Sequence, residues 1–110
     1  MRLKYLLLGV VCFCFISCSQ TSTEQTIELT IKDHKFLPSE IKAKANTKIR
    51  LVVENLDNEI EEFESFDLKR EKLVLPLSKT IIVIAPLKKG TYYFFGDFHQ
   101  DTAKGNLIVE

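Results

Sequence analysis

The chain has 110 residues, and its 15 Lys and Arg are balanced by 15 Asp and Glu. This length predicts a single domain, and the neutral charge argues against a nucleic-acid partner, which requires a basic surface. The three cysteines, Cys12, Cys14 and Cys18, all lie near the amino terminus. The rest of the chain therefore contains neither a disulfide framework nor a cysteine metal motif.

The first segment is typical of a secretory signal peptide. A short basic end contains Arg2 and Lys4, and an apolar run from Tyr5 to Ile16 follows it. This run is too short to cross a bilayer comfortably, which takes about 20 residues. We therefore predict a signal peptide over residues 1–17, and a location at the periplasmic or extracytoplasmic face of the bacterial cell envelope.

The sequence Phe15-Ile16-Ser17-Cys18 resembles the bacterial lipobox. The resemblance implies that Cys18 is lipidated and that a lipid anchor attaches the protein to a membrane. Cleavage after Ser19 by the ordinary signal peptidase and retention of an uncleaved anchor are the alternatives. Residues 18–25 are mostly polar and are predicted to form a tether, which leaves residues 26–110 as the folded domain.

The domain consists of short segments with strand character. The first alternates apolar and polar residues, which places Ile27, Leu29 and Ile31 on one face. No segment shows a convincing helical stripe. The predicted strands are 26–31, 40–45, 48–55, 61–66, 70–75, 80–84, 91–95 and 106–109. Short strands at this spacing predict an all-β sandwich or barrel.

Six carboxylates are concentrated between residues 57 and 67, with no Lys or Arg among them. Such a run repels itself unless a cation compensates it, and a cation-binding site is one explanation. A solvated surface is the common alternative, as is pairing with Arg70 and Lys72. Alternation along the predicted strand places Phe63 in the core and directs Glu62 and Glu64 outward. The carboxylates are Asp57, Glu59, Glu61, Glu62, Glu64 and Asp67.

Residues 90–105 resemble the copper-binding loop of the cupredoxin family. Gly96 stands where that family has a cysteine ligand, His99 stands at the histidine, and Ala103 stands at the methionine. A type 1 blue-copper centre requires a thiolate and two imidazoles. The resemblance therefore implies the fold without a blue-copper centre.

Five further motifs are Phe36-Leu37-Pro38, Glu61-Glu62-Phe63-Glu64-Ser65, Arg70-Glu71-Lys72, Ala85-Pro86-Leu87 and Phe95-Gly96-Asp97-Phe98-His99. Together they resemble the EfeO-type cupredoxin-like subgroup, whose members are linked with bacterial high-affinity iron permeases. The resemblance implies a cupredoxin-like Greek-key β-sandwich of about 7–8 strands. It also implies that the loop near residue 60 and the loop near His99 meet at one end of the sandwich.

The expected function is metal binding, because this arrangement would bring carboxylates and an imidazole together. Such ligands suit Fe(III), manganese, zinc or Cu(II) and disfavour Cu(I), and the expected ion is Fe(III) or Cu(II). His34, on a turn, is expected to face solvent. The predicted metal ligands are Glu61, Glu62, Glu64, His99 and Asp101.

The expected partners are a metal ion, the membrane through the lipid anchor, and an iron permease or another envelope protein. Two alternatives belong to other functional classes. One is an electron-transfer partner that uses a redox-active ion held by these hard ligands. The other is a metal-free interaction module that docks an envelope partner through its acidic face. The sequence contains no phosphate-binding loop and no zinc-protease motif, so we expect a binding protein rather than an enzyme.

Overall fold

The computed structural model describes residues 9, 11–14, 16 and 23–110. Most of the predicted signal peptide and all of the predicted lipidation site, Cys18, lie outside these residues. Within the described part of the chain, no helix is long and apolar enough to cross a membrane. The strands are β1 (Glu24–Lys32), β2 (Lys35–Leu37), β3 (Glu40–Ala43), β4 (Lys48–Asn55), β5 (Glu61–Ser65), β6 (Arg70–Val74), β7 (Ser78–Ile84), β8 (Gly90–Gly96) and β9 (Lys104–Val109).

The strands form two sheets that pack face to face. One sheet has the order β2-β1-β4-β7, and the other has the order β3-β9-β8-β5-β6. The β1-β4 and β3-β9 pairs are parallel, and the remaining pairs are antiparallel. The all-β sandwich that the sequence predicts is therefore confirmed.

The core lies between the sheets, and strand alternation decides which residues reach it. In β4, Ile49, Leu51 and Val53 are buried, whereas the residues between them are not. Three aromatic rings occupy the centre of the core, where Phe36 and Phe94 pack edge to face at 5.1 Å and Phe63 stacks on Phe94 at 5.2 Å. Burial of these large apolar side chains supplies the main stabilisation of a domain without disulfides.

All eight predicted strands are present, with small differences at their ends. β1 begins at Glu24, so it includes the last two residues of the predicted tether. The predicted strands do not include β2 (Lys35–Leu37). This strand is only three residues long and pairs with the end of β1.

Three connections meet at one end of the sandwich. They are the β1-β2 turn at residues 33–34, the β4-β5 loop at residues 56–60 and the β8-β9 connection at residues 97–103. The last of these begins with a short 3₁₀ helix, Asp97–His99. Hydrogen bonds join all three connections, so this end of the molecule is a single structural unit.

Candidate metal site

His34 is placed by a tight turn between β1 and β2. Asp33 and His34 both have positive φ angles, of 54° and 58°, which is the pattern of a two-residue type I′ hairpin turn. Asp tolerates this region better than most residues. The turn places the His34 ring beside the other two loops at this end of the sandwich.

Asp57 holds this turn in place. Its carboxylate accepts hydrogen bonds from the backbone N–H groups of Asp33, at 2.8 Å, and His34, at 3.0 Å. Partial burial raises the pKa of Asp57, but these two hydrogen bonds and the nearby histidines outweigh it, so the pKa is lowered overall. The hydroxyl of Thr102 donates to the carbonyl of His34 at 2.6 Å. The His34 backbone is therefore fixed on both sides.

Glu59 lies in the β4-β5 loop, which a buried asparagine organises. The side-chain amide of Asn55 donates to the carbonyl of Glu59 at 2.7 Å, and its oxygen accepts from the N–H of Asp57 at 2.9 Å. Asn55 is fully buried, and buried polar groups of this kind stay paired because an unpaired one is costly. One side chain thus sets the positions of both Asp57 and Glu59.

His99 ends the 3₁₀ helix and is oriented by Glu61. The distance from His99 Nδ1 to Glu61 Oε2 is 2.6 Å. An ionised carboxylate can only accept, so Nδ1–H donates this bond. The backbone carbonyl of His99 also accepts from the N–H of Ala103 at 2.8 Å. The other ring nitrogen, Nε2, faces the carboxylate of Glu59, whose side chain is 63% exposed.

The side chains of His34, Glu59 and His99 converge on one point. Each offers one potential ligand atom within 4.8 Å of the others. Glu59 Oε2 lies 3.3 Å from His34 Nε2 and 3.2 Å from His99 Nε2. The two imidazole rings are stacked, with centroids 3.6 Å apart and planes 10° apart. A tetrahedral ion with bonds of about 2.0–2.1 Å has donors roughly 3.3 Å apart, which matches the nitrogen-oxygen distances here.

The charges around His34, Glu59 and His99 favour the binding of a cation between these side chains. Burial lowers the pKa of His99, but its hydrogen bonds to Glu61 and Glu59 and the charges of those carboxylates raise it, and the net shift is upward. Both ring nitrogens of His99 face carboxylate oxygens. A proton therefore occupies Nε2 in the charged ring, at the position where a metal ion would bind.

A second group of carboxylates lies on the outer face of the β5 sheet. Glu62, Glu64 and Asp97 offer oxygens within 4.8 Å of one another. Desolvation, a hydrogen bond to Glu71 and repulsion from neighbouring carboxylates raise the pKa of Glu62 to about 7. Desolvation and repulsion also raise the pKa of Glu64. Within residues 23–110, no Lys or Arg forms an ion pair with this group.

The basic residues of β6 do not compensate the acidic group. Arg70 and Lys72 pair with Ser65 and Phe63 across the β5-β6 ladder, whereas Glu71 pairs with Glu64. Alternation therefore directs the two basic side chains to the opposite face from Glu71. The Arg70 side chain donates to the carbonyl of Val83 instead, at 3.1 Å.

The structure separates the five predicted ligands. His99 belongs to the first group, and Glu62 and Glu64 belong to the second. Glu61 is buried, at 2% exposure, and binds His99 rather than facing the open side of the group. Asp101 is exposed and belongs to neither group. The structure therefore does not bring the five residues together into one group.

Sequence reasoning missed His34 and Glu59 as members of the first group. His34 was expected to face solvent, but its side chain is 38% exposed and its ring stacks on His99. Two features of the sequence could have indicated this group. One is Asp33-His34 between two strands, and the other is Asn55 and Asp57 at the end of β4. Asn and Asp at strand ends commonly bond nearby backbone groups, but only the fold shows that Asp57 reaches the β1-β2 turn.

The positions that carry copper ligands in the cupredoxin family do not fit a type 1 centre here. Gly96 stands in the place of the cysteine, and a Cβ atom at this position would lie 2.7 Å from Ala103 Cβ and 2.7 Å from Glu61 Cδ. These contacts are too short for a side chain. The Glu61 carboxylate and the Ala103 methyl group therefore fill the space that the Cβ atom of a cysteine would need.

Comparisons with known proteins agree with this architecture. The family model described as "Cupredoxin-like domain" matches residues 5–109. An uncharacterized protein of Rickettsia prowazekii (strain Madrid E) is 57% identical over 83 residues, a match that covers 76% of this chain and 66% of that protein. The chain thus spans about two thirds of the length of this relative.

Several solved structures share the fold at low sequence identity. The metal binding domain of the Cu(I)-exporting P-type ATPase CopA of Streptococcus pneumoniae D39 matches with a TM-score of 0.71 and 15% identity, over 84% of this chain and 91% of that one. A copper binding protein solved in its apo form has a TM-score of 0.69 and 19% identity, over 83% and 92%. Auracyanin A of Chloroflexus aurantiacus, a "blue" copper protein, has a TM-score of 0.67 and 13% identity, over 79% and 99%.

Proposed function

The chain belongs to the cupredoxin-like domain family, and on that premise we propose that it is a metal-binding protein of the bacterial cell envelope. The proposed ion is Cu(II) or iron, held by His34, Glu59 and His99. The observation that carries the proposal is the convergence of two imidazole Nε2 atoms on one Glu59 oxygen, at 3.2 and 3.3 Å. The proposed role is to bind and hand on an ion, without catalysis.

The donor set defines the class of metal. Two imidazoles and a carboxylate suit Cu(II), zinc and iron, whereas Cu(I) prefers thiolate or thioether sulfur. The only methionine is Met1, and all three cysteines lie at or before Cys18. The folded domain therefore offers no sulfur ligand, and we expect it to discriminate against Cu(I).

The exposure of the ligands supports an exchangeable ion rather than a structural one. The side chain of Glu59 is 63% exposed, and that of His99 is 21% exposed. Three protein ligands with an open side leave a position for water or for a donor group of a partner. Such a site can receive an ion from solvent and release it again.

The amino-terminal sequence supports the proposed location in the cell envelope, and two sequence motifs support the proposed role beside an iron permease. The basic and apolar start supports export, and the lipobox-like sequence before Cys18 supports a lipid anchor. The resemblance of Glu61-Glu62-Phe63-Glu64-Ser65 and Phe95-Gly96-Asp97-Phe98-His99 to the EfeO-type subgroup supports an accessory role beside an iron permease.

A second candidate function is a metal-free module that docks an envelope partner through its acidic face. The group formed by Glu62, Glu64 and Asp97 favours it, because the described residues leave these carboxylates without an ion-pair partner. A basic partner surface would relieve their repulsion. Binding of this kind would weaken with salt and would not depend on metal.

Calorimetric titration of the purified protein with Cu(II), Zn(II), Mn(II) and chelated Fe(III) tests the first proposal. We expect one ion per chain, with binding lost in the double variant His34→Ala/His99→Ala. The matched control is Glu62→Gln/Glu64→Gln, which changes the second carboxylate group and should bind like the wild type. Equal loss in the control variant, or no binding by the wild type, would contradict the proposal.

A further inference from the structure

Glu61 is the one carboxylate of the acidic run that points into the core. It shares the inner face of β5 with Phe63 and Ser65, and all three are buried. A buried carboxylate is costly unless hydrogen bonds compensate it. Glu61 has such bonds, because Oε1 accepts from the backbone N–H of Glu62, at 3.0 Å, and of Phe98, at 3.0 Å.

The other oxygen of Glu61 binds the histidine that faces the proposed metal. Oε2 lies 2.6 Å from His99 Nδ1, the shortest of the polar contacts of Glu61. The backbone bond to Phe98 ties the same carboxylate to the residue that precedes His99. Glu61 therefore fixes both the backbone that carries the ring and one edge of the ring itself.

We infer that Glu61 is a positioning residue of the metal site, which keeps the proton of neutral His99 on Nδ1 and so leaves Nε2 free to bind an ion beside His34 and Glu59. The inference rests on the proposed function and deepens it. Metal-binding histidines generally donate their second ring N–H to a carboxylate or carbonyl, which orients the ring and makes it a stronger ligand. Glu61 supplies that bond here.

The same side chain also decides where an ion can bind. A Cβ at Gly96 would meet Glu61 Cδ at 2.7 Å, so Glu61 occupies the interior position at which the family places its cysteine. With Nδ1 of His99 bonded to Glu61, only the outward Nε2 is available. The ion is therefore directed to the rim of the sandwich and away from its interior.

The variant that separates positioning from packing is Glu61→Gln. Glutamine keeps the shape of the side chain, and its carbonyl oxygen can still accept from the N–H groups of Glu62 and Phe98. Its NH₂ group then faces His99 Nδ1, which must become an acceptor. In neutral His99 the proton would move to Nε2, where it blocks the proposed ligand atom.

The test combines imidazole ¹⁵N NMR of the metal-free protein with Zn(II) affinity. In the wild type we expect neutral His99 to be protonated at Nδ1. In folded Glu61→Gln we expect protonation at Nε2 and a Zn(II) affinity lower by about 10- to 100-fold. Glu62→Gln, which changes the neighbouring outward-facing carboxylate, should leave both properties unchanged.

Two results would overturn the inference. One is neutral His99 protonated at Nε2 in the wild type, a measurement that needs no variant to fold. The other is a folded Glu61→Gln protein with unchanged Zn(II) affinity. A wild type that binds no Zn(II) although neutral His99 is protonated at Nδ1 would instead refute the proposed function, so the two failures are distinguishable.

Discussion

The imidazole ring of His34 lies flat against that of His99, with centroids 3.6 Å apart and planes 10° apart. One ring is placed by a turn that Asp57 and Thr102 hold, and the other by a hydrogen bond to Glu61. Both Nε2 atoms face the same Glu59 oxygen. The stack therefore brings together two donor groups from opposite ends of the domain sequence.

Metal binding should open this stack. The lone pair of each Nε2 lies in the plane of its ring, so two parallel rings cannot both direct lone pairs at one ion between them. We predict that one equivalent of Zn(II) abolishes the mutual ring-current shifts of the His34 and His99 protons in ¹H NMR. Persistence of these shifts at saturating, stoichiometric Zn(II) would place the ion elsewhere.

Metal affinity should rise with pH across the titration of His99. The hydrogen bonds to Glu61 and Glu59 raise its pKa in spite of burial, so at lower pH a proton competes for Nε2. We predict that Zn(II) binding releases protons below the raised pKa and that this release declines above it. Calorimetry in buffers of different ionisation enthalpy measures the release, and a pH-independent affinity would contradict the assignment of Nε2 as a ligand.

The raised pKa of His99 also predicts that the stability of the metal-free protein changes with pH. A histidine whose pKa is raised on folding stabilises the protein fully below its unfolded-state pKa, and this stabilisation is lost as pH rises through the folded-state pKa. For His99 the loss begins above the ordinary value of 6.5. Urea unfolding of His99→Asn should show a smaller decline in stability above this pH than the wild type, and an identical decline would refute the linkage.

Removal of Asp57 should loosen the His34 turn. In Asp57→Ala the N–H groups of Asp33 and His34 lose their acceptor, which costs about 1–3 kcal/mol in the free energy of unfolding. Because the pKa of Asp57 is lowered, its contribution is present above the ordinary value of 3.8 and is lost as pH falls through the folded-state value.

The matched control for Asp57→Ala is Asp101→Ala, which removes an exposed carboxylate outside both groups. In urea unfolding at pH 7, the free energy of unfolding of Asp57→Ala should be lower than that of Asp101→Ala by about 1–3 kcal/mol. The Zn(II) affinity should fall only in Asp57→Ala. Equal stability of the two variants would show that the carboxylate does not hold the turn.

Glu62 should destabilise the fold as pH rises. Desolvation, the bond to Glu71 and repulsion from nearby carboxylates raise its pKa from 4.5 to about 7, so stability falls as pH rises through this interval. We predict that Glu62→Gln unfolds at a higher temperature than the wild type at pH 8 and that the difference disappears near pH 4. The control is Glu28→Gln, on the exposed face of β1. The same pH-dependent gain in unfolding temperature in this control would show that the effect does not arise from the carboxylates around Glu62.

A thiol at Gly96 should not restore a blue-copper centre. The new Cβ would lie 2.7 Å from both Ala103 Cβ and Glu61 Cδ, and overpacking of this kind costs about 1–3 kcal/mol. We predict that Gly96→Cys and Gly96→Ala lose similar stability in urea, because the Cβ rather than the sulfur causes the clash. A stable Gly96→Cys protein with an intense copper-thiolate absorption band would contradict this packing argument.

The alternation of apolar and polar residues along the chain was sufficient to predict most of the fold. Alternation predicted β4 and the inward position of Phe63, and both are confirmed. The same alternation places Glu61 beside Phe63, so its burial follows from the pattern, although we expected Glu61 to bind metal directly. β2 was missed because three residues carry too little periodicity to distinguish a strand from a turn.

The site depends on contacts that no local pattern contains. The resemblance to the cupredoxin family implied that the loops near residue 60 and near His99 meet at one end of the sandwich, and they do. The Asp33-His34 turn joins them because β1 pairs in parallel with β4, which places Ile31 opposite Asn55. That register brings Asp57 to the turn and His34 to His99. Side-chain convergence of this kind arises from tertiary packing, and only the structure reveals it.

One ion is proposed to bind between His34, Glu59 and His99 and not among Glu62, Glu64 and Asp97. Anomalous X-ray diffraction from crystals grown with Cu(II), measured on both sides of the copper absorption edge, locates the ion directly. We predict a single anomalous peak within coordination distance of His34 Nε2 and His99 Nε2, about 2.0 Å from each nitrogen. A peak among the Glu62, Glu64 and Asp97 carboxylates, or none in a protein saturated with Cu(II), would contradict the proposed metal site.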